Sequence, residues 1–221
     1  HLEKPPLAYW AGAAGIRLFG RSEFGVRFFP VLALLLSAWL TARMARRLIG
    51  PEAEAPALAS FVLPYVLAVG AALLTDTFVM LGAVLFHHAV LRRLLEGSRR
   101  ALDWAVVGLA LGVLAKGHTV LLFTLVPCLL ARTGVLREVF VPRRIALLLL
   151  LTLPWFVAVL FRFPDFLSLH SKKLADFVTT GRQHHKGPVW IYAAALLAGL
   201  YPFTLWIRSG ARWFGGAPAR L

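Results

Sequence analysis

The sequence predicts an all-α, polytopic bundle of transmembrane helices, and three observations predict it. Apolar residues come in long blocks rather than in stripes, and the run 145–161, IALLLLLTLPWFVAVLF, carries no charge. Charged residues make up only 15% of the 221, with a mean hydropathy of +0.74, where a soluble domain carries about 25% charged residues. Arginines gather in small clusters between the blocks. A bilayer crossing needs about 20 mostly apolar residues, and a soluble core helix of that length would show a polar face. In lipid every backbone group must bond within its own segment, so the spans are helices. A β-barrel would alternate polar and apolar residues, which these blocks do not.

The elements follow in order. Residues 1–27 are expected to hold a motif loop and a short helix; LAYWAGAAGIRLFG at 7–20 is too short to span and suits the membrane interface. Seven candidate spans then lie at about 28–45, 57–74, 77–95, 103–115, 119–133, 144–162 and 189–207. Residues 28–162 contain the first six, 163–188 form a polar loop, and 189–221 hold the last span and a tail. The chain opens on HLEKPPLAYW with neither an initiator Met nor a signal-peptide pattern, so it is expected to be a fragment of a longer protein, inactive alone.

Orientation comes from the arginines, which accumulate in cytoplasmic loops. Four clusters do so here: Arg43, Arg46 and Arg47; Arg92, Arg93, Arg99 and Arg100; Arg132, Arg137, Arg143 and Arg144; and Arg208 with Arg212. Two hairpins result, with tips near Thr75-Asp76-Thr77 and at Lys116-Gly117-His118. The loop 163–188 and Glu3-Lys4-Pro5-Pro6 fall on the same outer side. The net charge of +14 is thus topological, and nucleic-acid binding is excluded because the arginines lie between apolar blocks. Cys128 is the only cysteine, so there is no disulfide framework.

Nearly every other charged or imidazole group collects on that outer face. In Glu3-Lys4-Pro5-Pro6 the prolines hold the backbone extended and present an acid and a base rigidly. Lys4 is a compact charge suited to phosphate, although a loop salt bridge is an equal reading. Asp76 suits either a helix N-cap or ligand orientation. Lys116 stands between two apolar halves, where an ionisable residue points to a functional site or snorkels to the interface; the functional reading is a second phosphate contact. His184 and His185 could bind a metal or donate to a phosphate, and one pair falls short of the three or four ligands of a metal site. His87 and His88 read as hydrogen-bonding groups inside the bundle.

EKPPLAYW, TDTFVML, LAKGHTVLL, LPWFVAVL and HHKGPVWIYAAALLAGLYPF occur in an order that resembles the bacterial branch of the dolichyl-phosphate-mannose protein mannosyltransferases, which includes the lipid A aminoarabinose transferase. The resemblance covers nearly the whole chain. It implies a glycosyltransferase of the GT-C architecture in the inner membrane, with its site facing the periplasm or cell exterior. Such an enzyme passes a sugar from a polyprenyl-phosphate carrier, held among membrane lipids, to a lipid, glycan or protein acceptor. It further implies Glu3, Lys4 and Asp76 as catalytic residues, and Lys4, Lys116, His184 and His185 as groups that bind the donor phosphate. Glu3 with His184 or His185 would lie near a divalent metal, Zn or Mg, and Tyr9 and Trp10 would shape the carrier groove. Two departures stand out. The family's Asp-Glu motif and first transmembrane helix lie upstream of EKPP, and Asp176-Phe177 stands where the family has Arg-Phe. The competing class is a transporter or flippase of lipid-linked sugars, which would place polar groups at mid-membrane and often show internal repeats. The sequence has no repeat, and only His87 and His88 lie mid-span.

Overall fold

A computed structural model of the protein describes residues 4–63, 66–67, 72, 74–164, 166, 168 and 171–172. All regular structure among them is helical. The expected last span 189–207 and nearly all of the loop 163–188 lie outside the described residues.

The first helix, α1 (Leu7–Phe19), starts directly after Pro5-Pro6, where Trp10 N–H donates to Pro6 O at 2.9 Å. It ends at Gly20, whose φ is 81°. The long α2 (Glu23–Leu48) is capped by Ser22, whose Oγ accepts from Gly25 N–H at 3.1 Å. Its first turn carries Glu23 and its last turn Arg46 and Arg47, each sign suited to its end of the helix dipole. Hydroxyls inside the apolar helices bond back to their own backbone: Ser37 donates to Ala33 O, Thr124 to Val120 O and Thr152 to Leu148 O, each at 2.8 Å. No polar group at these points then faces lipid without a partner.

The expected span 57–74 is not one continuous helix. Its start is the short α3 (Glu54–Ala59), followed by a 3-10 turn at Ser60–Val62. Leu63 then leaves the helical region with ψ 137°, because the ring of Pro64 disfavours helical backbone in the residue before it. Proline signals this break in the sequence, and the hydropathy of the stretch hides it.

The remaining helices match the expected spans within a few residues, except for one short helix that the sequence did not indicate. They are α4 (Thr75–Glu96), α5 (Ala101–Lys116), α6 (Thr119–Leu130), the short α7 (Val135–Val139) and α8 (Pro142–Arg162). Among the described residues three helices, α2, α4 and α8, are long and apolar enough to cross a membrane. The α5–α6 hairpin is built of shorter pieces than the about 20 residues of a full crossing.

The centre of the bundle is the contact of α4 with α5. Gly82 and Gly108 face each other so closely that a Cβ on either would stand 2.5 Å from the other's carbonyl oxygen. Small residues at a crossing let two backbones approach, which is how membrane helices gain packing without a hydrophobic drive. Phe86, Leu102, Val106 and Leu109 fill the core beside that crossing. A second cluster joins Ala8 of α1 and Ala33 of α2 to Phe78 and Val79 of α4, Ala115 of α5 and Val120 of α6. In α8 only Thr152 and Val159 are buried, so it presents leucines outward, as a lipid-facing helix does.

Candidate functional site

The hairpin tips read from the sequence meet at one end of the bundle. Lys116 is the last residue of α5, and Gly117, with φ 68°, makes the turn into α6. Asp76 is the second residue of α4. Lys116 Nζ and Asp76 Oδ1 pair at 2.5 Å, 40 residues apart in the chain. Each sits at the helix end that favours its charge.

The N-cap reading of Asp76 is corrected by this arrangement. Leu74 occupies the cap position, no side chain caps the helix, and Asp76 points to Lys116 instead. Asp76 lies two residues beyond the cap position, too far into the helix to cap it. The sequence treated the two residues separately. The signal that could have joined them was already there: one isolated acid and one isolated base, both at hairpin tips assigned to the same side.

The side chains of Lys116 and Asp76 remain 37% and 50% exposed. An ion pair so open to solvent contributes about 0–1 kcal/mol, so its presence is weakly explained by stability. The ammonium can exchange its carboxylate for a stronger anion. Beside it, Thr75 Oγ1 is buried without a partner among the described residues, which is uncommon in a folded protein.

An apolar groove of about 700 Å³ runs from Asp76 along α4. Thr77, Met80, Val84 and His87 line it from α4, and Phe123 from α6. Asp76, Met80, Ala83, Val84 and His87 recur at helical spacing, so they form one stripe of α4. At the far end His87 Nε2 and Phe123 O lie 2.8 Å apart, with the imidazole as donor. That agrees with the reading of His87 as a hydrogen-bonding group within the bundle. The sequence did not indicate that it also closes a groove.

Lys4 is exposed and precedes α1. The first turn of that helix packs through Leu7 and Ala8 against the cluster containing Phe78 and Ala115, neighbours in sequence of Asp76 and Lys116. Lys4 therefore belongs to the same end of the bundle. Tyr9 and Trp10 are each 52% exposed on α1 and are not among the residues lining the groove along α4. Glu3, His184 and His185 lie outside the described residues. Among the described residues no cluster of three His, Cys, Asp or Glu side chains could hold a metal.

Residues 3–161 match the sequence profile of the dolichyl-phosphate-mannose-protein mannosyltransferase family. Two relatives are undecaprenyl phosphate-alpha-4-amino-4-deoxy-L-arabinose arabinosyl transferases. That of Pectobacterium atrosepticum is 30% identical over 218 residues, covering 92% of this chain and 38% of its own length. That of Pseudomonas aeruginosa is 33% identical over 231 residues, covering 96% and 41%. The chain thus spans about two fifths of the length of the curated relatives it matches. The crystal structure of ArnT from Cupriavidus metallidurans bound to undecaprenyl phosphate superposes with a TM-score of 0.77 at 22% identity, covering 99% of this chain and 42% of that one. Its apo state gives 0.74. The fold is therefore shared with a solved membrane protein that holds a lipid phosphate.

Proposed function

The chain belongs to the dolichyl-phosphate-mannose-protein mannosyltransferase family, and from that premise we propose that it serves a membrane glycosyltransferase using a polyprenyl-phosphate sugar donor. The observation that carries the reading is the Lys116–Asp76 pair at the head of an apolar groove. An isoprenoid tail fits the groove, and its phosphate fits the ammonium of Lys116. Lys4, at the same end, adds a second cation. As the bond between the anomeric carbon and the carrier phosphate breaks, negative charge grows on that phosphate, and a fixed ammonium stabilises it most in the transition state. Asp76, released from Lys116 by the phosphate, is placed to take the proton of an acceptor hydroxyl.

Tyr9 and Trp10 supply exposed aromatic surface for the carrier on α1. A divalent metal, Zn or Mg, held by Glu3 with His184 or His185 belongs to the same proposal. Carboxylate and imidazole are a donor set that suits Zn, and chelation followed by readdition of each metal tests it. An outer, periplasmic placement of the site belongs to the same proposal, and the arginines at the opposite end of the bundle support it. The acceptor is a lipid, glycan or protein hydroxyl.

The test is sugar transfer by the full-length protein in liposomes carrying a polyprenyl-phosphate sugar. Lys4→Ala and Lys116→Gln should each abolish or nearly abolish transfer while the protein remains inserted. Unchanged transfer in both variants removes the two lysines from the reaction and the proposal with them.

A further inference from the structure

At the opposite end, between α2, α4 and α5, lies a second groove of about 290 Å³. Trp39, Leu85 and Trp104 line it together with His88 and Arg92. Among the described residues, the charged groups around His88 are Arg43, Arg47, Arg92 and the carboxylate of Glu96. Glu96 is held by Arg47 at 2.6 Å and by Arg92 at 2.9 Å. Arg43 has no carboxylate partner among the described residues; its guanidinium lies 4.9 Å from the centre of the Trp39 ring, a cation–π contact. Three guanidinium groups thus stand against one carboxylate, and the surface beside the groove, where Arg43 lies on the Trp39 ring, carries surplus positive charge.

Both tryptophans are about half exposed, as indole rings are at the boundary between lipid tails and headgroups. Apolar walls, an aromatic rim and surplus arginine are together complementary to a lipid with an anionic head. A zwitterionic lipid fills the same walls and offers a phosphate, but its own headgroup cation leaves the surplus charge of the arginines uncompensated. We propose that this groove is a binding site for an anionic glycerophospholipid, with an acyl chain against Trp39 and Trp104 and the phosphate on Arg43. The site is separate from the donor groove: it is lined by Leu85, His88, Ala89 and Arg92 of α4, the face of that helix opposite the one that carries Asp76, Met80, Val84 and His87.

Native mass spectrometry of the full-length protein, released from nanodiscs with equal phosphatidylglycerol and phosphatidylcholine, tests this. Retained phosphatidylglycerol should exceed phosphatidylcholine by about fivefold, the effect of one basic residue near a membrane surface. Arg43→Gln should bring the ratio near parity, and Trp104→Ala should reduce retention of both lipids. Arg17→Gln, on α1, should change neither. Equal retention by the wild type overturns the proposal, as does an enrichment that survives both Arg43→Gln and Trp104→Ala. Should Arg43→Gln fail to fold, Trp104→Ala decides alone. A polyprenyl phosphate that displaces phosphatidylglycerol at equal amounts would also overturn it, by showing a carrier site instead.

Discussion

Among the described residues, four carboxylates hold seven guanidinium groups where α2 and α4 stop; where they start, Asp76 holds Lys116 across two helices, and the other pair, Glu23 with Arg27, stays within α2. At the first end Arg46 pairs with Glu54, Arg47 and Arg92 with Glu96, Arg93 and Arg99 with Glu138, and Arg143 and Arg144 with Asp103. Most of these pairs link different helices, and Arg93 reaches Glu138 through two parallel bonds of 2.8 and 2.9 Å. Arginine suits this task because its planar fork matches a carboxylate bidentately. At the second end the pair is a lysine, whose rotatable point charge leaves its partner more easily. The same helices therefore spend charge on tying their ends together at one surface and keep it open to a ligand at the other.

Exchanging one charge at each end puts that contrast to the test, and the largest effect belongs to the open end. Lys116→Gln should cost the full-length protein on the order of 10² in the rate of the proposed sugar transfer, the scale of losing one preorganised donor. Its helix content by circular dichroism and its melting temperature should stay close to wild type, because the exposed pair contributes little to stability. A large drop in melting temperature would show that the pair ties helices as the arginines do.

Breaking the middle of the bundle should disturb both ends at once. Gly108→Leu places a side chain where even a Cβ stands 2.5 Å from a backbone oxygen. It should destabilise by at least about 1–3 kcal/mol, seen as aggregation or a lowered melting point in detergent. Wild-type stability would mean that the two backbones do not approach so closely.

At the tied end, Arg144 is the member to remove. Its side chain is 12% exposed, and it donates to Asp103 Oδ1, Glu138 O and Arg99 O. Arg144→Ala should cost about 2 kcal/mol in stability and leave the KM for the donor unchanged. By contrast, Arg46→Ala removes one open pair with Glu54 and should cost less than about 1 kcal/mol.

The smallest effect is one of pH. The hydrogen bond from Arg93 holds the Glu138 carboxyl below its ordinary value of 4.5. A lowered carboxylate stabilises the fold above the ordinary value, and that stability is lost as pH falls through the depressed one. Melting temperature should thus hold from pH 7 to about 5 and fall below 4.5, less steeply in Glu138→Gln than in wild type. An identical fall in the variant would assign the acid sensitivity to other carboxylates.

Much of this was legible in the sequence. The helix after Pro5-Pro6, the turn at Lys116-Gly117-His118 and three of the arginine clusters appear where composition and proline placed them. Hydropathy and helix signals are local, so a chain read one window at a time recovers them. The break at Leu63 was legible too, since Pro64 stands next to it, but a hydropathy window averages over a single residue.

Hydropathy, proline and arginine by themselves determined that this protein is a helical membrane bundle, that its arginines gather at one end of it, and which few charges fall at the other. Only the tertiary structure decided which of those charges meet. Asp76 and Lys116 are 40 residues apart, and Gly82 and Gly108 must cross before the tips of two hairpins can come together. The reason is physical: a span's insertion depends on its own composition, whereas a contact between spans depends on which small residues face each other, and no single span contains that information.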